Sequence, residues 1–85
     1  MSYTLEIPEH LDKEFQSLTK RDKETLESIH RKIKQILDNP THFKPLRGDM
    51  KGARRVHIHG SFVLTYEVDG NIVRLLDYEH HDNIY

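Results

Sequence analysis

The 85-residue chain carries 13 Lys+Arg against 14 Asp+Glu, a formal net charge of −1, and no cysteine. One domain is all that this length holds, and the missing cysteines exclude thiol nucleophiles, thiolate metal sites and disulfide scaffolds together. Its longest stretch without a charge, Val56 to Tyr66, is about half a membrane span, and the start Met-Ser-Tyr-Thr-Leu-Glu has no basic or apolar part of a secretion signal, so a cytoplasmic protein with no membrane contact is expected.

The first element is a short strand, because residues 2–7 (Ser-Tyr-Thr-Leu-Glu-Ile) alternate and Pro8 then removes a ladder donor. Leu11, Phe15 and Leu18 follow at i, i+4 and i+7, which predicts a short helix over 9–18. A longer amphipathic helix is expected from about Asp22, with Leu26, Ile29, Ile33, Ile36 and Leu37 on one face, ending at Asp38-Asn39-Pro40. Residues 44–47 could add one short edge segment.

Beyond Gly48 the period switches from helical to alternating. Val56 and Ile58, then Phe62, Leu64, Tyr66 and Val68, then Val73 and Leu75 predict three strands in a meander. A three-residue loop His59-Gly60-Ser61 sets Ile58 against Phe62 and Val56 against Leu64, because a one-residue slip would oppose apolar to polar positions. Asp69-Gly70 is a strong hairpin signal for a type I′ turn, which pairs Val68 with Asn71, Tyr66 with Val73, Leu64 with Leu75, Thr65 with Arg74 and Val63 with Leu76. Residues 80–85 form a polar tail. The expected fold is α+β, β-α-α-β-β-β, an antiparallel sheet with the two helices packed on one face, as a single domain over 1–85.

Charge is unevenly distributed along this order. Residues 1–43 sum to −1, residues 44–59 to +4 and residues 60–85 to −4. The basic island contains Lys44, Arg47, Lys51, Arg54 and Arg55 together with His57 and His59, so an encounter with a polyanion would centre there, with the acidic segment behind it. The face away from the helices gathers Arg55, His57, Val63, Thr65 and Arg74. An imidazole flanked by guanidinium groups can move a proton at neutral pH and hold a phosphate without a metal; the plain alternative is that His57 and His59 are ordinary surface strand residues. A zinc site from His57, His59, His80, His81 and Asp82 has little support, because adjacent histidines on an extended chain point opposite ways and no ligand-spacing motif is present.

Several of these segments resemble one family. The order β-α-α-β-β-β, Pro-Leu-Arg-Gly at 45–48, Arg-Arg-Val-His-Ile at 54–58, Phe-Val-Leu-Thr-Tyr-Glu-Val at 62–68 and the terminal His-Asp-Asn-Ile-Tyr resemble the RelE/ParE superfamily of toxin–antitoxin toxins. The resemblance implies an endoribonuclease that cuts messenger RNA on the ribosome, needs no cofactor, and is inhibited by a cognate, acidic, helical antitoxin. By position, Lys44 stands where the histidine-using, YafQ-like branch has a histidine, and Arg55 and His57 stand on its Asp/His strand. His81, or His80 on the related spacing, matches the C-terminal histidine, and Tyr85 the terminal tyrosine. The implied catalytic set is His57, His81, Tyr85 and Arg55, with Lys44, Arg47, Lys51, Arg54 and Arg74 on RNA phosphates. The family's arginine in the aromatic strand is Val63 here, a departure that Arg74 could offset. The same fold also serves a second class of function, a gyrase-directed toxin or an inactive relative that only binds its antitoxin.

Overall fold

The computed structural model describes residues 3–43, 45, 52–59 and 61–80. Its elements are β1 (Thr4–Glu6), α1 (Glu9–Arg21), α2 (Lys23–Asp38), β2 (Ala53–His57), β3 (Phe62–Asp69) and β4 (Ile72–His80). The strands form one sheet in the order β1-β4-β3-β2. Among the described residues, no helix is long and apolar enough to cross a membrane.

Both helices follow from their stripes and their caps. Pro8 precedes α1, Glu9 and Asp12 occupy its first turn, and Lys20 and Arg21 its last, so each charge opposes the nearer end of the helix dipole. Asp22 serves both helices. Its backbone N–H donates to Leu18 O at the end of α1, while its side chain accepts from Thr25 N (3.2 Å) and from the Thr25 hydroxyl (2.6 Å) at the start of α2. These contacts hold the Asp22 carboxyl below the ordinary carboxylate range. The helix therefore continues through Thr19 and Lys20, past the expected end, and the corner takes a single residue.

Leu11, Phe15 and Leu18 from α1 and Ile29, Ile33 and Ile36 from α2 are buried against Val56, Leu64, Tyr66, Val73, Leu75 and Tyr78 of the sheet. Burial of these side chains on one sheet face is the main stabilising contribution. Tyr66, fully buried, donates its hydroxyl to Pro40 O at 2.6 Å. Arg54, the cross-strand neighbour of Tyr66, donates to Phe43 O at 2.7 Å. Two donors at one level of the sheet thus fasten the segment that leaves α2.

The β2–β3 pairing is the expected one: Val56 opposes Leu64, His57 opposes Val63, and Ile58 N donates to Phe62 O across the three-residue loop. The β3–β4 hairpin differs from expectation. Asp69 pairs with Ile72 and Tyr66 with Leu75, a shift of two residues. Among the described residues only Gly52 and Gly70 have positive φ, so Gly70 (φ 61°) and Asn71 form the turn with the φ signs of type II′, and Asp69 stays in the strand. A two-residue shift leaves every side chain on its own face, so the apolar pattern fits either register.

A bulge then interrupts the ladder. Tyr66 opposes Leu75 but Thr65 opposes Asp77, leaving Leu76 as the extra residue. The bulge carries β4 on to His80, puts Tyr78 into the core and turns Asp77 and Glu79 to the other side. Tyr78 stacks on Phe62 (centroids 5.0 Å apart) and meets Phe15 edge-on at 5.8 Å. The sheet is also not purely antiparallel. β1 pairs parallel with β4, Thr4 against Ile72 and Glu6 against Arg74, because the helical pair carries the chain over the sheet before the meander begins. Of the proposed 44–47 edge segment, Pro45 makes an isolated bridge with Arg54.

Candidate catalytic face of the sheet

The face turned away from the helices is organised in rows set by strand register. His57, Val63 and Glu79 share one row across β2, β3 and β4; Arg55, Thr65 and Asp77 share the next. Glu67 and Arg74 share a third, extended to Glu6 on β1. Strands lie about 4.8 Å apart, so the outer Cα atoms of the first row are about 10 Å apart. The floor between them is uncharged and buried, with Val63 1% and Thr65 7% exposed, while His57 is exposed and Glu79 half-buried.

The acidic segment does not lie behind the basic one. Glu67, Asp69, Asp77 and Glu79 all occupy this same face, facing Arg55 and Arg74. Arg74 is engaged by Glu67 and Asp69 together with Glu6 of β1: its Nε lies 2.8 Å from Glu6, and its Nη1 lies 2.9 Å from Glu67 and 3.8 Å from Asp69. These carboxylates hold the guanidinium proton still more tightly than usual. The expected pairing of Arg74 with Thr65, beside Arg55, is replaced by a clamp across three strands. Arg54, on the helix side, is likewise committed to Phe43 O.

Asp77 and Glu79, two residues apart on β4, form a carboxyl pair. The Asp77 side chain hydrogen-bonds Glu79, and that bond, Asp77's charge and burial together raise the Glu79 pKa, while Arg55 pulls it down. A neighbouring carboxylate disfavours a second negative charge, so Glu79 holds its proton more tightly than a lone glutamate does. Sequence reasoning missed this pair because the bulge that turns both residues to this face leaves no separate signature in the sequence. Of the other expected site residues, Arg55 and His57 stand together on this face, whereas Lys44, Arg47, Lys51, His81 and Tyr85 lie outside the described residues. Among the described residues, no group of three or more His, Cys, Asp or Glu could hold a metal ion.

A family model for the ParE toxin of type II toxin–antitoxin systems matches residues 3–85. The chain belongs to the RelE/ParE toxin family. The RelE4 toxin candidate of Methanocaldococcus jannaschii is 48% identical over 85 residues, covering 98% of this chain and 90% of that protein. In fold, this toxin is similar to the YoeB/ParE toxin from Agrobacterium tumefaciens, with a TM-score of 0.80 at 20% identity over 92% of this chain and 98% of that one. It is also similar to a chain of the Escherichia coli DinJ–YafQ toxin–antitoxin complex, with a TM-score of 0.76 at 18% identity over 100% of this chain and 99% of that one. The toxin's expected β-α-α-β-β-β order is the observed one, with the helices on one face and the Arg55–His57 strand at the β2 edge of the sheet.

Proposed function

We propose that this toxin arrests translation by cleaving messenger RNA at the ribosome in the cytoplasm. The observation that carries the reading is the side-by-side placement of Arg55 and His57 on β2, both on the helix-free face. In the reaction, the RNA 2′-OH loses its proton and attacks the adjacent phosphorus. The P–O5′ bond breaks, a proton passes to the leaving 5′ oxygen, and the products are a cyclic phosphate and a 5′-hydroxyl end. His57 moves one proton, Arg55 neutralises the developing phosphorane charge, and His81 or Tyr85 serves the other transfer. Imidazole and guanidinium suffice for this chemistry, so no cofactor is required.

Phosphate contacts are assigned to Lys44, Arg47 and Lys51. Arg54 and Arg74 are left to the scaffold, because their guanidinium groups already hold Phe43 O and the Glu6–Glu67–Asp69 set. An antitoxin is the natural inhibitory partner, since relatives of this fold include a toxin–antitoxin complex. The ParE description of the matching family model favours one second reading, a gyrase-directed toxin. Induced expression separates the two: loss of protein synthesis with normal DNA supercoiling supports the ribonuclease, the reverse supports gyrase, and a His57→Ala protein that still arrests translation as strongly as the parent overturns the assigned role of His57.

A further inference from the structure

We propose that Glu79 is a catalytic residue of this site, the proton-transfer partner of His57 across the Val63 row. The inference rests on the ribonuclease reading and gives the second proton transfer, there left to His81 or Tyr85, to a group on β4 that no sequence motif marks. Val63 is short and buried, so the side chains of His57 and Glu79 rise on either side of an apolar floor about 10 Å wide between their Cα atoms. In this role the phosphodiester lies above the buried Val63 side chain, between the imidazole and the carboxyl group. Arg55, one row along, is near enough to act on the Glu79 carboxyl and would face the same phosphate.

Among the described residues, the groups facing Glu79 are Asp77 from its own strand and Arg55 and His57 from β2. β3 contributes the uncharged Val63 and Thr65, and the helices lie on the opposite side of the sheet. The hydrogen bond that protonated Glu79 donates to the Asp77 carboxylate matters chemically. A lone exposed carboxylate is a weak base, whereas one beside a second negative charge, to which it donates when protonated, is a stronger one. In the proposed step the ionised Glu79 carboxylate takes the 2′-OH proton as the 2′-O–P bond forms. His57, in its protonated form, gives a proton to O5′ as the P–O5′ bond breaks. One proton enters at Glu79 and one leaves from His57, and Arg55 offsets part of the negative charge that develops on the phosphorane between the two transfers.

The test is single-turnover cleavage of messenger RNA on programmed ribosomes from pH 4.5 to 9, with the parent, Glu79→Gln and Asp77→Asn. Loss of a general base predicts a fall of about 100-fold or more for Glu79→Gln, with substrate affinity retained and the acidic limb of the pH profile removed. Asp77→Asn is expected to keep most of the activity and to move the acidic limb to lower pH, because Glu79 loses the bond and charge that raise its pKa. Carboxyl-carbon NMR of the uncomplexed parent checks the same pair without RNA or any substitution. A Glu79→Gln rate within about threefold of the parent, or a Glu79 carboxyl titrating in the ordinary carboxylate range, overturns this role and leaves the ribonuclease reading standing. A parent that cuts no RNA while still arresting growth overturns the ribonuclease reading, and the role of Glu79 with it.

Discussion

Two buried tyrosines on the core face offer a matched test of what holds the sheet to the helices. Tyr66 and Tyr78 are 0% and 8% exposed. Tyr66 gives its hydroxyl to Pro40 O at 2.6 Å, whereas the Tyr78 hydroxyl, also buried, has no hydrogen-bond partner among the described residues. Removing the oxygen from each by Tyr→Phe keeps the ring and its packing. For Tyr66→Phe the loss is one short buried hydrogen bond plus a stranded Pro40 carbonyl, together about 1.5 kcal/mol. At about 4–8 °C per kcal/mol for a domain of this size, the melting temperature falls by roughly 6–12 °C. For Tyr78→Phe the oxygen removed is one whose burial is uncompensated, so stability is unchanged or rises by up to about 1 kcal/mol. Urea titration followed by far-UV circular dichroism reads both values on the same scale. Equal destabilisation by the two substitutions, or a neutral Tyr66→Phe, refutes the claim that the Tyr66–Pro40 bond is what fastens the end of α2.

Tyr78 also sets a pH limit: burial, with Glu14 and Asp22 nearby, pushes its hydroxyl up to about 12. A group with a raised folded-state pKa contributes stability that is complete below its unfolded value near 10 and is lost as pH climbs through 12, so Tyr78→Phe should flatten the alkaline stability loss measured by urea midpoints between pH 10 and 12. The sign is opposite for Asp22, whose pKa is lowered by Thr25. Its contribution is present above pH 4 and disappears as acid protonates it, so Asp22→Ala should lower the melting temperature at pH 7 and show a smaller further drop at pH 3 than the parent. Arg74→Gln leaves Glu6, Glu67 and Asp69 facing one another. It should destabilise the fold in low salt, with partial recovery at 0.5 M NaCl as screening weakens the repulsion.

The helices were legible because Leu11, Phe15 and Leu18, and then Ile29, Ile33 and Ile36, repeat at helical spacing and all are buried. The β2–β3 register was legible for a related reason: a slip of one residue would have exposed Val56 and Leu64. The β3–β4 register was not, since a slip of two preserves every face, and the choice fell to interactions without sequence periodicity. Gly70 alone takes the positive φ, and Arg74 gains Glu67 across the strand and Glu6 beside it. The same gap hid part of the candidate site. Arg55 and His57 could be placed together from alternation alone, but Asp77 and Glu79 reach their face only through the bulge at Leu76, and the clamp on Arg74 depends on β1 pairing with β4.

That last pairing ties the two most distant described strands together. The Arg74–Glu6 contact spans 68 positions of the chain, and β4 alone supplies Val73, Leu75 and Tyr78 to the core. Contacts of such long separation form late, after the closure of a large loop. During synthesis, a chain halted before Ile72 has two helices, one hairpin and an unclaimed first strand, without the aromatic stack that covers Phe15. The fold, and with it any damage the toxin can do, is therefore withheld until translation has passed β4.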